Sequence, residues 1–139
     1  MNFFVFVAQE WILVSVLIVL VYLYYWRERT KSGLPLSVHE VTLLLNKDQA
    51  LIVDLRESGD FRAGHIVNSL NVPYSKVISD TSELIPHKDK ILILVDKLGQ
   101  HSGAAGRKLG KDGFQIRRLS GGISEWQAQS LPLVKGKKG

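Results

Sequence analysis

The 139-residue sequence contains no cysteine. This absence excludes disulfides, cysteine-ligated zinc and every mechanism that needs a thiolate, though it says nothing about compartment. No stripe of basic residues interleaved with aromatics occurs either, although the formal net charge is +5. Nucleic acid is therefore not an expected partner. Part of the positive charge gathers in Arg27, Arg29 and Lys31 and in the tail residues Lys135, Lys137 and Lys138. That distribution suits a membrane surface better. There is no internal repeat and no low-complexity segment, and the length leaves room for one domain plus an appendage.

Charge is missing altogether from residues 11–26, WILVSVLIVLVYLYYW. At 1.5 Å per residue this run makes roughly 24 Å of helix, against a bilayer core of about 30 Å. Ala8 and Gln9 are expected to extend it, leaving Glu10 near the outer interface. Trp11 at one end and Tyr22, Tyr24, Tyr25 and Trp26 at the other resemble interfacial aromatic belts. No Lys or Arg precedes the run and no small-residue cleavage site follows it, which argues against a cleaved signal peptide. A helix apolar all round is too hydrophobic for the core of so small a domain. Residues 1–31 are thus expected to form a transmembrane anchor with a basic flank. The positive-inside rule places the N-terminus outside and the rest of the chain in the cytoplasm. Residues 32–36, which include Gly33 and Pro35, read as a linker. Even fully extended, residues 30–36 reach about 25 Å, so the domain stays close to the bilayer.

Residues 37–134 read as alternating β and α, followed by a basic tail at 135–139. Ser37-Val38-His39-Glu40 has capping-box spacing, and Val38, Val41, Leu44 and Leu45 then share one helical face. Strands are expected at 50–54 (ALIVD), 69–72, 91–95 and 115–119. Helical segments are expected at 58–63, at part of 75–85 ending before Pro86, at 102–112 with Gly113 in the C′ position, and at 123–129 after the Gly121-Gly122 turn. Continuous apolar strands between helices argue for an α/β fold whose parallel sheet is covered on both faces.

The stretch 91–109, ILILVDKLGQHSGAAGRKL, organises the rest. A strand that turns tightly into a helix aims several backbone N–H groups at one spot, backed by the helix dipole. Such a cradle takes an anion or stabilises a charged nucleophile. Its first loop position holds Asp96.

These residues carry a resemblance. Asp54-Leu55-Arg56, Asp60-Phe61, Gly64-His65-Ile66 and Asn71-Val72-Pro73 resemble, in order, the first signature of the rhodanese family. Leu119-Ser120-Gly121-Gly122-Ile123 with Trp126 is similar to its C-terminal signature, and the active-site loop aligns without a gap between them. The layout resembles small membrane-tethered rhodanese-like proteins of bacteria. The resemblance implies a mostly parallel five-stranded sheet flanked by helices, here behind one N-terminal transmembrane helix, and a place in the bacterial inner membrane. In the family a loop cysteine carries sulfur as a persulfide, stabilised by loop amides and an Arg. Here Asp96 holds the cysteine position and His101 stands where the family often has Arg, while Gly99 and Ser102 match. A carboxylate cannot hold a transferable sulfur atom, so Asp96, Lys97, Leu98, Gly99, Gln100, His101 and Ser102 read as a degenerate loop without catalytic, cofactor or metal residues.

Asp54 and Arg56 are expected to fix the strand-end loop, His65 to pack, Trp126 to lie in the core and Asp96 to fill the cradle and cap the next helix. The favoured function is a catalytically inactive interaction or regulatory module at the cytoplasmic membrane face. Its expected partners are the lipid bilayer and other membrane proteins. One alternative makes Asp96 a phosphoryl-accepting nucleophile, which needs Mg²⁺ and further acidic ligands that Lys97-Leu98-Gly99-Gln100 does not supply. Another makes the loop a sensor that binds a ligand through Asp96 and His101.

Overall fold

The computed structural model describes residues 2–31 and 33–136, with backbone alone for 28–31. Ser32 of the expected linker and Lys137 and Lys138 of the expected tail lie outside the described residues. The chain forms two compact units, Met1–Thr30 and Lys31–Gly139.

The first unit consists of helices α1 (Phe3–Gln9) and α2 (Trp11–Lys31). Asn2 caps α1 by accepting the Phe4 N–H at 3.0 Å. At Glu10 the backbone leaves helical geometry (φ −109°, ψ 30°) and the two axes diverge by 87°. Among the described residues no single helix is long and apolar enough to cross a membrane. The bent pair Phe3–Gln9 and Trp11–Arg27 meets that length and composition only together. Ala8 and Gln9 therefore do not extend the helix of Trp11, because the backbone turns at Glu10.

The second unit is an α/β domain. Its elements are β1 (Leu34–Leu36), α3 (Val38–Asn46), β2 (Ala50–Asp54), α4 (Ser58–Ala63), β3 (Leu70–Asn71), α5 (Tyr74–Ser79), a 3₁₀ helix (Ser82–His87), β4 (Ile91–Val95), α6 (Ser102–Lys111), β5 (Ile116–Leu119) and α7 (Gly122–Ala128). The five strands form one sheet in the order β1-β5-β4-β2-β3, and every pairing is parallel.

The sequence-based linker gives way here to a strand. Leu34, Pro35 and Leu36 pair with Arg117, Arg118 and Leu119, and Arg118 Nε donates to the Gly33 carbonyl at 2.8 Å. Pro35 is compatible with this because β1 is an edge strand, where a missing N–H breaks no second ladder. The helical segment also continues past its expected stop. After α5 the chain tightens into the 3₁₀ helix, which includes Pro86. Its bonds run from Leu84 N to Thr81 O and from Lys88 N to Ile85 O, so the Pro86 nitrogen is not needed as a donor.

Alternation along the strands divides the core into two layers. Val53, Leu92, Leu94 and Ile116 face one way and pack with Val77, Leu84, Ala105 and Leu109. Ala50, Ile52, Ile93, Val95 and Leu119 face the other and pack with Val38, Val41, Ile66, Ile123 and Trp126. Both faces of β2 and β4 are covered, which is why these strands read as unbroken apolar runs. From β2 the chain moves outward to β3, and from β4 it moves the opposite way to β5. The crevice at the C-terminal ends of β2 and β4 is thus a topological switch point, the usual place for a site in such a sheet.

Candidate functional site

Two loops meet at that crevice. The one after β2 is held by Asp54, whose side chain is 1% exposed. Its carboxylate accepts the Arg56 N–H at 3.0 Å and the guanidinium through Nε at 3.1 Å and Nη2 at 2.8 Å. Arg56 Nη2 also donates to the Gly64 carbonyl at 2.7 Å. Asn71 Nδ2 ties the Asp54 and Arg56 carbonyls at 3.1 and 2.9 Å. Asp54 and Arg56 therefore fix the loop internally, and the guanidinium charge is neutralised where it stands. His65 is fully buried, stacked 3.8 Å from the Phe61 ring, with Nδ1 2.7 Å from the Phe61 carbonyl. His65 and Val134 exchange both backbone bonds at 2.8 Å, which fastens the end of the domain to α4. Trp126 is core, its Nε1 donating to the Pro132 carbonyl at 3.1 Å.

The loop after β4 closes on Asp96, which is 2% exposed. Its Oδ1 accepts the Gly99 N–H, and its Oδ2 accepts the His101 N–H at 2.5 Å and the Ser102 N–H at 3.1 Å. The Leu98 N–H is taken by Gln100 Oε1 at 3.0 Å, and Ser102 Oγ donates to the Gly99 carbonyl at 3.3 Å. Gly99 adopts φ +94°, which an L side chain rarely reaches, so the chain can turn back over the carboxylate. Two of the three donors stand at the start of α6, where a carboxylate also complements the helix dipole. Asp96 and the loop after it thus form a ring of N–H donors closed on its own anion.

A second clamp holds this ring from behind. The Asp96 carbonyl accepts the Ile123 N–H at 2.8 Å and the Lys97 carbonyl accepts the Ser124 N–H at 3.1 Å. This close approach needs Gly122, since a Cβ there would lie 2.2 Å from the Asp96 carbonyl oxygen. The Gly121-Gly122 pair, read from sequence as a turn, therefore also fixes the loop to α7. Tyr74 was not legible as a site residue. Its ring stacks on His101 with centroids 4.7 Å apart, and its N–H is anchored to the Leu55 carbonyl at 2.9 Å. Its only signal was its place directly after Pro73. Over both loops lies a pocket of about 270 Å³ lined by Arg56, Glu57, Asp60, Tyr74, Lys97 and His101, with Asp96 also contributing.

Compared with known proteins, residues 37–129 match the rhodanese-like domain. The chain belongs to the rhodanese-like domain family. YibN of Escherichia coli (strain K12), an uncharacterised protein, is 43% identical over 100 residues, covering 70% of each chain. A rhodanese-related protein from Thermoplasma volcanium superposes with a TM-score of 0.65 at 26% identity, over 74% of this chain and 99% of its own. A thiosulfate sulfurtransferase from Pseudomonas aeruginosa shares the fold, with a TM-score of 0.68 at 22% identity over 80% of this chain and 22% of its own. In this rhodanese-like domain the catalytic thiol is absent, because the chain has no cysteine. The loop from Asp96 to Ser102 nevertheless keeps a strand-to-helix cradle of backbone donors.

Proposed function

We propose that this protein is a membrane-tethered, catalytically inactive rhodanese-like module that acts through its surface at the cytoplasmic face. The observation that carries the inactive reading is the Asp96 carboxylate inside the loop, accepting the Gly99, His101 and Ser102 N–H groups. Those donors are what an oxyanion substrate or a persulfide would need, and a fixed negative charge now occupies the place. The same geometry disfavours Asp96 as a phosphoryl acceptor, since both oxygens are engaged and buried. Among the described residues, no group of three His, Cys, Asp or Glu side chains is placed to hold the metal that such chemistry needs. It also disfavours sensing through Asp96, whose carboxylate is already taken by three N–H groups, whereas His101, stacked on Tyr74, stays exposed on the pocket wall.

Tethering is supported by α2, where Trp11, Leu13, Leu17, Leu20 and Leu23 are exposed apolar side chains on a helix without a polar face. Arg27, Arg29 and Lys31 at its C-terminal end favour a cytoplasmic domain in a bacterial inner membrane. With no cysteine elsewhere in the chain, a single cysteine added at either terminus is a unique label. An impermeant thiol reagent applied to intact cells is expected to label the N-terminal site alone. Labelling of the C-terminal site alone reverses the orientation. For the interaction role, a photoreactive residue in place of the exposed loop-tip Leu98 is expected to give discrete protein adducts in native membranes. An absence of adducts from Leu98 and from the pocket rim sinks that role.

A further inference from the structure

Helix α1 counts toward a span by composition, yet the bend at Glu10 takes it out of line with α2, and its geometry calls for a separate account. Phe3, Phe4, Val5 and Phe6 are exposed, and every residue of the helix except Gln9 is apolar. The axis stands 87° from that of α2. We infer that α1 lies flat in the headgroup–acyl boundary of the extracytoplasmic leaflet, with Glu10 as the corner where the chain turns into the bilayer. The inference rests on the membrane reading above and adds the place and orientation of a segment which that reading leaves unassigned.

Three observations converge on this placement. First, Glu10 itself is bonded, donating its N–H to the Phe6 carbonyl at 2.9 Å and accepting the Val14 N–H at 3.0 Å. Starting a new helix at Trp11 nevertheless leaves the first N–H groups of α2 without intrahelical partners. Such groups have no partner in hydrocarbon, so the corner belongs where water or headgroups reach it. Second, Glu10 carries a charge, which is also costly inside the bilayer but favourable beside the N-terminus of α2. Third, with the corner at the interface, a straight continuation of α2 would push Phe3, Phe4 and Phe6 into water. A right-angle bend instead lays them along the boundary, where aromatic and aliphatic side chains are buried. Asn2 supports a wet N-terminal end, its side chain capping Phe4 N–H and its carbonyl accepting Phe6 N–H at 3.0 Å. Because α1 has no basic face, its attachment depends on apolar burial and is indifferent to anionic lipid.

Site-directed spin labelling of the full chain in phosphatidylcholine vesicles tests this, using Phe3→Cys, Val7→Cys and Leu17→Cys singly. Phe3 and Val7 lie on one helical face. Collision rates with oxygen and with a water-soluble nickel complex report depth. Labels at 3 and 7 are expected at one common depth, about 5–10 Å into the boundary. Leu17 should lie much deeper, and added phosphatidylglycerol should change nothing. A water-exposed label at both 3 and 7, or depths differing by about 6 Å as for an upright helix, overturns the flat placement while Leu17 stays immersed. A water-exposed Leu17 instead overturns the membrane reading itself, and the placement of α1 with it.

Discussion

Replacing Asp96 with Asn keeps the shape of the side chain and removes what the loop uses. Oδ1 serves one donor, Gly99, whereas Oδ2 serves two, His101 and Ser102. An amide offers a single oxygen. In its better orientation that oxygen keeps the His101 and Ser102 bonds, and the NH₂ group then faces the Gly99 N–H, donor against donor. One buried N–H loses its acceptor, at about 1–3 kcal/mol. The two surviving bonds fall from charge-assisted to neutral strength, roughly halving them. Together the loss is about 2–4 kcal/mol, a large part of the ~5–15 kcal/mol that holds a typical domain but not all of it. Urea denaturation of residues 31–139 reads this directly, with Trp126 as the only tryptophan in that part of the chain. The midpoint should fall by about 1–2 M. A loss below about 0.5 kcal/mol, the size of an ordinary surface substitution, refutes the claim that the carboxylate satisfies the ring.

Three further outcomes follow from the same geometry. Asp96→Cys should stay folded and place a thiol among the loop donors, lowering its pKa below the usual ~8.5 and speeding its reaction with thiol reagents at neutral pH. Reactivity no faster than in the unfolded chain counts against converging donors. Gly122→Ala should cost more than about 3 kcal/mol in chemical denaturation, since its Cβ would lie 2.2 Å from the Asp96 carbonyl oxygen in a backbone at φ +63°; a neutral effect shows that the clamp is loose. Outside the site, the Ser82 backbone N–H and then its hydroxyl hold the Asp80 carboxyl below its ordinary 3.8, helped by Lys76. Its small contribution is full above pH 3.8 and is lost as pH falls through the folded-state value. An NMR titration should show the low midpoint, and Ser82→Ala, which removes the hydroxyl but keeps the backbone N–H, should raise it only part of the way.

How much of this was legible follows from the local physics. Ala50–Asp54 and Ile91–Val95 match the sequence reading residue for residue, because strands covered on both faces leave an uninterrupted apolar signature. Leu34–Leu36 left no such signature. It is three residues long, includes a proline and gains its place only by pairing with a strand far along the chain. Asp96 was readable because it holds the first position of a short strand-to-helix loop, where backbone N–H groups converge on one spot. The Tyr74–His101 stack and the close approach of Gly122 to Asp96 were not, since each joins loops brought together only by the fold. The corner at Glu10 was hidden for another reason: Gln9 and Glu10 interrupt the apolar run, but a polar pair suits a helix continuing through an interface as well as one ending there, and only the backbone records the turn.

The central claim is that the Asp96 loop keeps a rhodanese-like cradle and does no sulfur chemistry. Transfer of sulfur from thiosulfate to cyanide by the purified full-length protein measures this most directly. The expected result is thiocyanate at the background rate at every protein concentration, whereas formation that rises in proportion to the protein added contradicts it.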